Sequence, residues 1–211
     1  NNSDAQFHLG KIYYLNNYIQ RDINKCIHYL SLSANQNNSD AQTFLGIVYY
    51  DGKYIQKDIK KSIHYFTLAA NQNNSIAQVY LGLIFIESEY VERDINKSIH
   101  YLLLAANQYN SIAQYQLGKI YIDGKYVERD INKSIHYLSL AANQNNSDAQ
   151  FLLGKIYYTN DYISQDINKS IHYLSLAANQ NNSDAQAYLA MIFFDNDYIK
   201  RDINKFIYYL S

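Results

Sequence analysis

Apolar and polar positions alternate along the chain with two nested periods. Over short distances, apolar residues stand three and four apart: Ala5, Leu9, Ile12 and Tyr13, then Ile23, Ile27, Leu30 and Ala34. At about 100° per residue each set falls on one face of a helix. This predicts a helix A over about residues 4–14 and a helix B that starts after Asp22. Over longer distances the whole pattern returns. The dipeptide Ala-Gln recurs at Ala5, Ala41, Ala77, Ala113, Ala149 and Ala185, always 36 residues apart. The units are 1–36, 37–72, 73–108, 109–144, 145–180 and 181–211, the last cut short at Ser211.

Polar residues mark the expected helix ends. Ser3 and Gln6 read as an S-x-x-Q capping box, repeated in every unit. In such a box the serine oxygen accepts from the N3 amide while the glutamine reaches back to the cap. Asp22, present in all six units, reads as the N-cap of helix B. Asn-Asn closes helix B, asparagine tolerating the left-handed turn. Helices this short are marginal alone. Stacked pairs bury one another's apolar faces, which gives an all-α solenoid held by nearest-neighbour contacts. The expected organisation is a single array over 1–211. The chain lacks an initiator methionine and opens on a repeat boundary, as a fragment of a longer protein would.

The unit AQxxLGxxYxxxxYxxxDxxKSIxYLxLAANQN resembles the Sel-one-like repeat, a relative of the tetratricopeptide repeat. Ala5, Leu9, Gly10, Tyr13, Asp22, Lys25, Tyr29 and Ala34 fit the family pattern, and five further units fit likewise. The departures are local. The first loop glycine survives only as Gly52 and Gly124, the second is tyrosine throughout, and the last unit has Ala190 in the glycine column. The resemblance implies a right-handed superhelix of helix–turn–helix repeats that holds proteins together, often as an adaptor in signalling or quality control. It also implies that helix A lines the concave, partner-binding surface.

One stretch of the repeat looks catalytic. RDINKSIHYL occurs letter for letter at 93–102 and 129–138, and it assembles aspartate, lysine, serine and histidine. Ser134 and His136 stand two residues apart on a helix, so about 200° separates them around the axis. A serine and its base on opposite faces cannot share a hydrogen bond. The expected roles are structural: Asp130 as cap, Lys133 solvated, Ser134 a small packed residue. The histidine ladder His28, His64, His100, His136 and His172 sits one unit apart and does not converge as a metal site requires. Cys26, the single cysteine, occupies a packing column and excludes an intrachain disulfide. No enzyme activity, cofactor or metal is expected.

Composition narrows the partner class. Lys and Arg number 18 against 19 Asp and Glu, which leaves no electrostatic footprint for nucleic acid. The longest apolar run, 79–86, falls far short of the ~20 residues that cross a bilayer. Eight Asn-x-Ser acceptors and a lone cysteine favour a cytoplasmic chain.

Columns that differ between units mark the face free to specialise. In helix A these form a stripe away from the Ala5–Leu9–Ile12 face. The stripe holds His8, Phe44, Tyr80, Gln116, Leu152 and Tyr188, then Lys11, Ile47, Leu83, Lys119, Lys155 and Met191. Two readings stand. The stripe binds a protein or peptide partner, with Phe44, Ile47, Tyr80 and Leu83 as its densest apolar group, or those side chains fill the contacts between repeats. The leading expectation is a non-catalytic scaffold. The alternatives are a recruitment arm of a multidomain enzyme such as a kinase, or a spacer that self-associates through exposed terminal repeats.

Overall fold

The computed structural model describes residues 2–15, 20–87, 89–159, 161, 163–194 and 202–210. Among them every regular element is a helix. The helices are α1 (Ser3–Leu15), α2 (Ile23–Ala34), α3 (Ser39–Asp51), α4 (Ile59–Ala70), α5 (Ser75–Glu87) and α6 (Ile95–Ala106). They continue with α7 (Ser111–Asp123), α8 (Ile131–Asn143), α9 (Ser147–Tyr158), α10 (Ile167–Ala178), α11 (Ser183–Phe194) and α12 (Ile203–Leu210). Odd-numbered helices are the A helices and even-numbered ones the B helices of six pairs. The chain divides into two compact units, Asn1–Asn110 and Ser111–Ser211, each built from three pairs.

Within each unit the core lies between consecutive repeats. In the first unit, Phe66, Ala69 and Ala70 of α4 pack on Ala77, Leu81 and Ile84 of α5. In the second, Leu138, Ala141 and Ala142 of α8 pack on Ala149, Leu153 and Ile156 of α9. Each fully buried leucine contributes about 1.5–3 kcal/mol of transfer free energy. No pair can bury its face alone, and the repeat period follows from that.

Inside a pair the two helices approach through the glycine column. A Cβ on Gly82 would stand 2.6 Å from Leu102 Cγ, so only glycine lets the helix B leucine settle on the backbone of α5. Each pair is clamped a second time by backbone. The amides of Asp58, Asp94, Asp130 and Asp166 donate to the carbonyls of Tyr49, Phe85, Tyr121 and Tyr157 at the ends of their A helices. Gly52 and Gly124 take left-handed φ values of 64° and 62° where α3 and α7 end. The loop tyrosines Tyr18, Tyr162 and Tyr198 lie outside the described residues.

Two helix ends read from the sequence are met as expected. The carboxylates of Asp22, Asp58, Asp94, Asp130, Asp166 and Asp202 each accept the amide three residues on, at 2.9–3.0 Å. Asn37, Asn73, Asn145 and Asn181 take left-handed φ after helix B.

The capping box is a correction. Asn38, one residue before the serine, caps α3: its backbone is extended and its Oδ1 accepts from Ala41 N at 2.9 Å. Asn146 does the same for α9. The helix starts one residue earlier with asparagine as its cap and Ala41 as N3, so the glutamine has no cap to serve. It turns inward. Gln42 and Gln78 are buried, donate to the carbonyls of Ala34 and Ala70, and accept from Gln72 and Gln108 at 2.7 Å. In the second unit Gln150 donates to Ala142 O and accepts from Gln180. This glutamine ladder ties three helices at each of these junctions.

Candidate partner-binding site

The catalytic-looking stretch is resolved residue by residue at 93–102. Arg93 Nε donates to Ile86 O at 3.0 Å and closes the end of α5. Asp94 caps α6, and Lys97 Nζ pairs with it at 3.1 Å. The same ammonium sits 5.3 Å from the Phe85 ring centroid. Phe85 stacks on Tyr101 at 6.1 Å, and His100 meets the Tyr101 ring edge-on at 5.4 Å. Ser98 is buried and donates to Gly82 O at 2.7 Å. Leu102 is the leucine under Gly82. The copy at 129–138 repeats these contacts: Ser134 is buried against Gly118 O while His136 is exposed on Tyr137. Serine and histidine point to opposite faces, and each has its own structural partner.

The cap carboxylates respond to this setting. Asp94, Asp130 and Asp166 are held below the usual aspartate range, first by the backbone amide three residues on and then by the neighbouring lysine. A carboxylate depressed in the fold contributes stability above its unfolded pKa of about 3.9 and loses it as pH falls through the lower folded value. Thermal melts followed by circular dichroism should therefore show the midpoint dropping steeply below about pH 4. The triple variant Asp94→Asn, Asp130→Asn, Asp166→Asn keeps a capping oxygen but not the titration. Its midpoint should fall less over the same range.

Cys26 is buried in the first pair, and burial pushes its thiol up to about 12, far from a reactive thiolate. The five helix B histidines are exposed on successive repeats. Among the described residues, no three of His, Cys, Asp and Glu stand close enough to share a metal ion. No helix among them is long and apolar enough to cross a membrane.

The helix A stripe proves to be of mixed character. Phe44 is half-buried, with ring centroids 5.4 Å from Tyr14 and 6.4 Å from Phe7, both on the preceding A helix. Tyr80 stacks on Phe66 at 4.7 Å and meets Tyr50 edge-on at 5.5 Å; burial raises its pKa, with Asp51 adding to the shift. Ile47 packs against the same core cluster, and Leu83 is half-buried. For Phe44 and Tyr80 the geometry is that of junction-filling side chains. Tyr188 behaves alike, edge-on to Phe151 and Tyr158. Lys11 lies over Phe7 at 5.3 Å, while Gln116 and Lys119 are half-buried.

Other stripe residues stay open. His8 and Lys155 are exposed, and Met191 is 43% exposed. Leu152 and Lys155 of α9 line a cleft of about 480 Å³ together with Ile122, Lys125, Arg129 and Asp161. Its lining mixes the apolar side chains of Ile122, Leu152 and Ile156 with three cations and the carboxylates of Asp123 and Asp161. A larger cleft, about 550 Å³, lies in the first unit over residues 55–61, but it is walled by the framework residues Tyr49, Asp58 and Lys61 and lies off the stripe.

Repeated helix pairs with inter-repeat cores and a variable A face define an α/α repeat solenoid. The chain belongs to the Sel1 repeat family: six consecutive matches cover residues 3–38, 39–74, 75–110, 111–146, 147–182 and 183–211. Sel1 repeat proteins are generally protein-interaction scaffolds. Among solved structures, a Sel1 repeat protein from Oxalobacter formigenes superposes with a TM-score of 0.89 at 27% identity, over 100% of this chain and 86% of that one. A protective antigen of uropathogenic Escherichia coli with an SLR fold gives 0.85 at 26% identity, covering 99% of this chain but 45% of the antigen. The immunity protein Pa5087 from Pseudomonas aeruginosa, at 0.60 and 18% identity, shares the fold. No curated protein gives a significant match.

Proposed function

We propose that this chain is a non-catalytic, cytoplasmic scaffold that takes a protein or peptide partner along the variable stripe of its A helices. The supporting observation is the cleft around half-buried Leu152 and exposed Lys155, where apolar and charged side chains line one opening. Small apolar clefts rimmed by charge suit a peptide side chain with polar flanks. The contribution of Phe44 and Tyr80 in this reading is to hold the junctions that shape the A face. Met191 is a further accessible stripe residue in the second unit, as His8 is in the first. The family's typical role fits the structural use of the arginine, aspartate, lysine, serine and histidine of RDINKSIHYL.

The test starts from a partner captured by the wild-type chain and confirmed by titration with purified protein. Leu152→Asp with Lys155→Glu should weaken that binding by about 2–4 kcal/mol, as loss of a central anchor does. Lys155 is exposed, but Leu152 packs on the core cluster of the second unit, so the midpoint should fall by the packing lost there and affinity is compared per folded molecule. Unchanged affinity in a folded variant would move the partner surface elsewhere.

A further inference from the structure

The N-terminal edge of the A helices departs from its own pattern in two consecutive repeats, and at the first of them a second departure lies beside it. The second residue of helix A is Asp4, Asp40, Ile76, Ile112, Asp148 and Asp184 along the chain. An aspartate there is favoured by the positive end of the helix dipole. In α1 and α3 the carboxylates of Asp4 and Asp40 also accept a hydrogen bond from the amides of Asn38 and Asn74. Ile76 gives up both interactions and leaves its side chain 52% exposed. Beside it the turn after helix B carries a second exchange. Where Asn37, Asn73, Asn145 and Asn181 take φ values of 60–65°, Tyr109 takes φ 60° with its ring 78% exposed. A bulky residue in the left-handed region is an outlier, whereas asparagine is at ease there.

The two exchanges are neighbours in the first unit. Asn110 Nδ2 donates to Ser75 Oγ at 3.3 Å, which sets the 109–110 turn against the start of α5. Turn and helix keep the form they have in the other repeats, so neither Ile76 nor Tyr109 is needed for it. Both substitutions work against local structure and add exposed apolar surface at one spot. Sequences break local rules in this way where a site is at stake. The surroundings specify the complement. Asp4 and Asp40 are exposed on the same edge, and among the described residues neither pairs with a cation.

We propose that the edge carrying Ile76 and Tyr109 is a second docking surface, for a protein segment whose apolar side chains are flanked by lysine or arginine. A second copy of the chain is disfavoured as occupant, because pairing like edges would bring aspartates toward aspartates. The surface is independent of the Leu152 cleft, which lies in the other unit.

The experiment selects a random peptide library against the wild-type chain and counter-selects against Ile76→Asp with Tyr109→Asn. Selected peptides are then measured by fluorescence anisotropy. The expected winners combine apolar and basic residues, weaken with added salt, and bind the double variant at least about tenfold more weakly, as loss of an anchor pair does. They should bind Leu152→Asp with Lys155→Glu as tightly as wild type. The double variant restores the aspartate and asparagine found in other repeats, so its melting midpoint should equal or exceed that of wild type. Equal affinity for wild type and variant would overturn the proposal, as would winners that are acidic. Concentration-dependent dimers of the wild-type chain that the variant abolishes would also overturn it, in favour of a second copy.

Discussion

Replacing Phe44 and Tyr80 together by alanine is expected to destabilise the first unit by about 3–6 kcal/mol, judged from large-to-small changes at half-buried sites. Phe44 loses edge-on contacts with Tyr14 and Phe7, and Tyr80 loses its stack on Phe66 and its edge contact with Tyr50. Each aromatic pair contributes about 0.5–1.5 kcal/mol beyond its buried area. Stability in a stacked array is carried by such nearest-neighbour terms, so loss at two successive junctions should uncouple the repeats there. Melts by circular dichroism should show a lower midpoint and a broader transition. A variant that melts with the wild type would mean that these rings are spectators at the junction and free to serve a partner.

The glutamine ladder should be nearly as costly to remove. Gln78 donates to Ala70 O and accepts from Gln108, and Gln42 makes the equivalent pair with Ala34 O and Gln72. Leucine fills a similar volume but removes the side-chain donor from Ala34 O and Ala70 O, which keep the amides of Asn37 and Asn73 as partners, and removes the acceptor of Gln72 and Gln108. Two hydrogen bonds are lost per glutamine at about 0.5–1.5 kcal/mol each, so Gln42→Leu with Gln78→Leu should cost about 2–6 kcal/mol in urea or thermal unfolding. Gln72 and Gln108 are exposed and can turn to water, which keeps the effect below that of a fully buried network. Changing Gln72 or Gln108 alone should therefore matter less than changing Gln42 or Gln78.

These two results bear on how much of the molecule could be read from its residues. Period, pairing of helices and the aspartate cap were legible because each repeats six times and follows from one spacing or one side-chain reach. The structural use of Ser134 was legible too, since two residues along a helix separate it from His136 whatever surrounds it. The capping box misled because Ser3 and Gln6 have the right spacing, while the competing asparagine stands one residue earlier and takes the amide of Ala5, one before the glutamine. The buried glutamine ladder left a signal, an invariant Gln6 column inside the repeat, but its partner lies 30 residues away, at Gln36. Local chemistry does not disclose that distance. The stripe was legible as variable, not as open. Whether Phe44 faces a groove or a neighbouring helix depends on how far consecutive A helices stand apart, which the residues alone do not give.

The proposal that the repeated polar motif is framework and the stripe is the working surface makes opposite demands on two variants. One is Ser134→Ala with His136→Ala; the other is Leu152→Asp with Lys155→Glu. The decisive measurement is the affinity of each for a captured partner, per folded molecule, beside its melting midpoint. The account predicts that the motif variant keeps full affinity and loses some stability, because Ser134 gives up its bond to Gly118 O. The cleft variant should lose affinity per folded molecule well beyond any loss of midpoint from the packing of Leu152. A motif variant that folds as wild type yet no longer binds, or that abolishes turnover of a substrate, would contradict it.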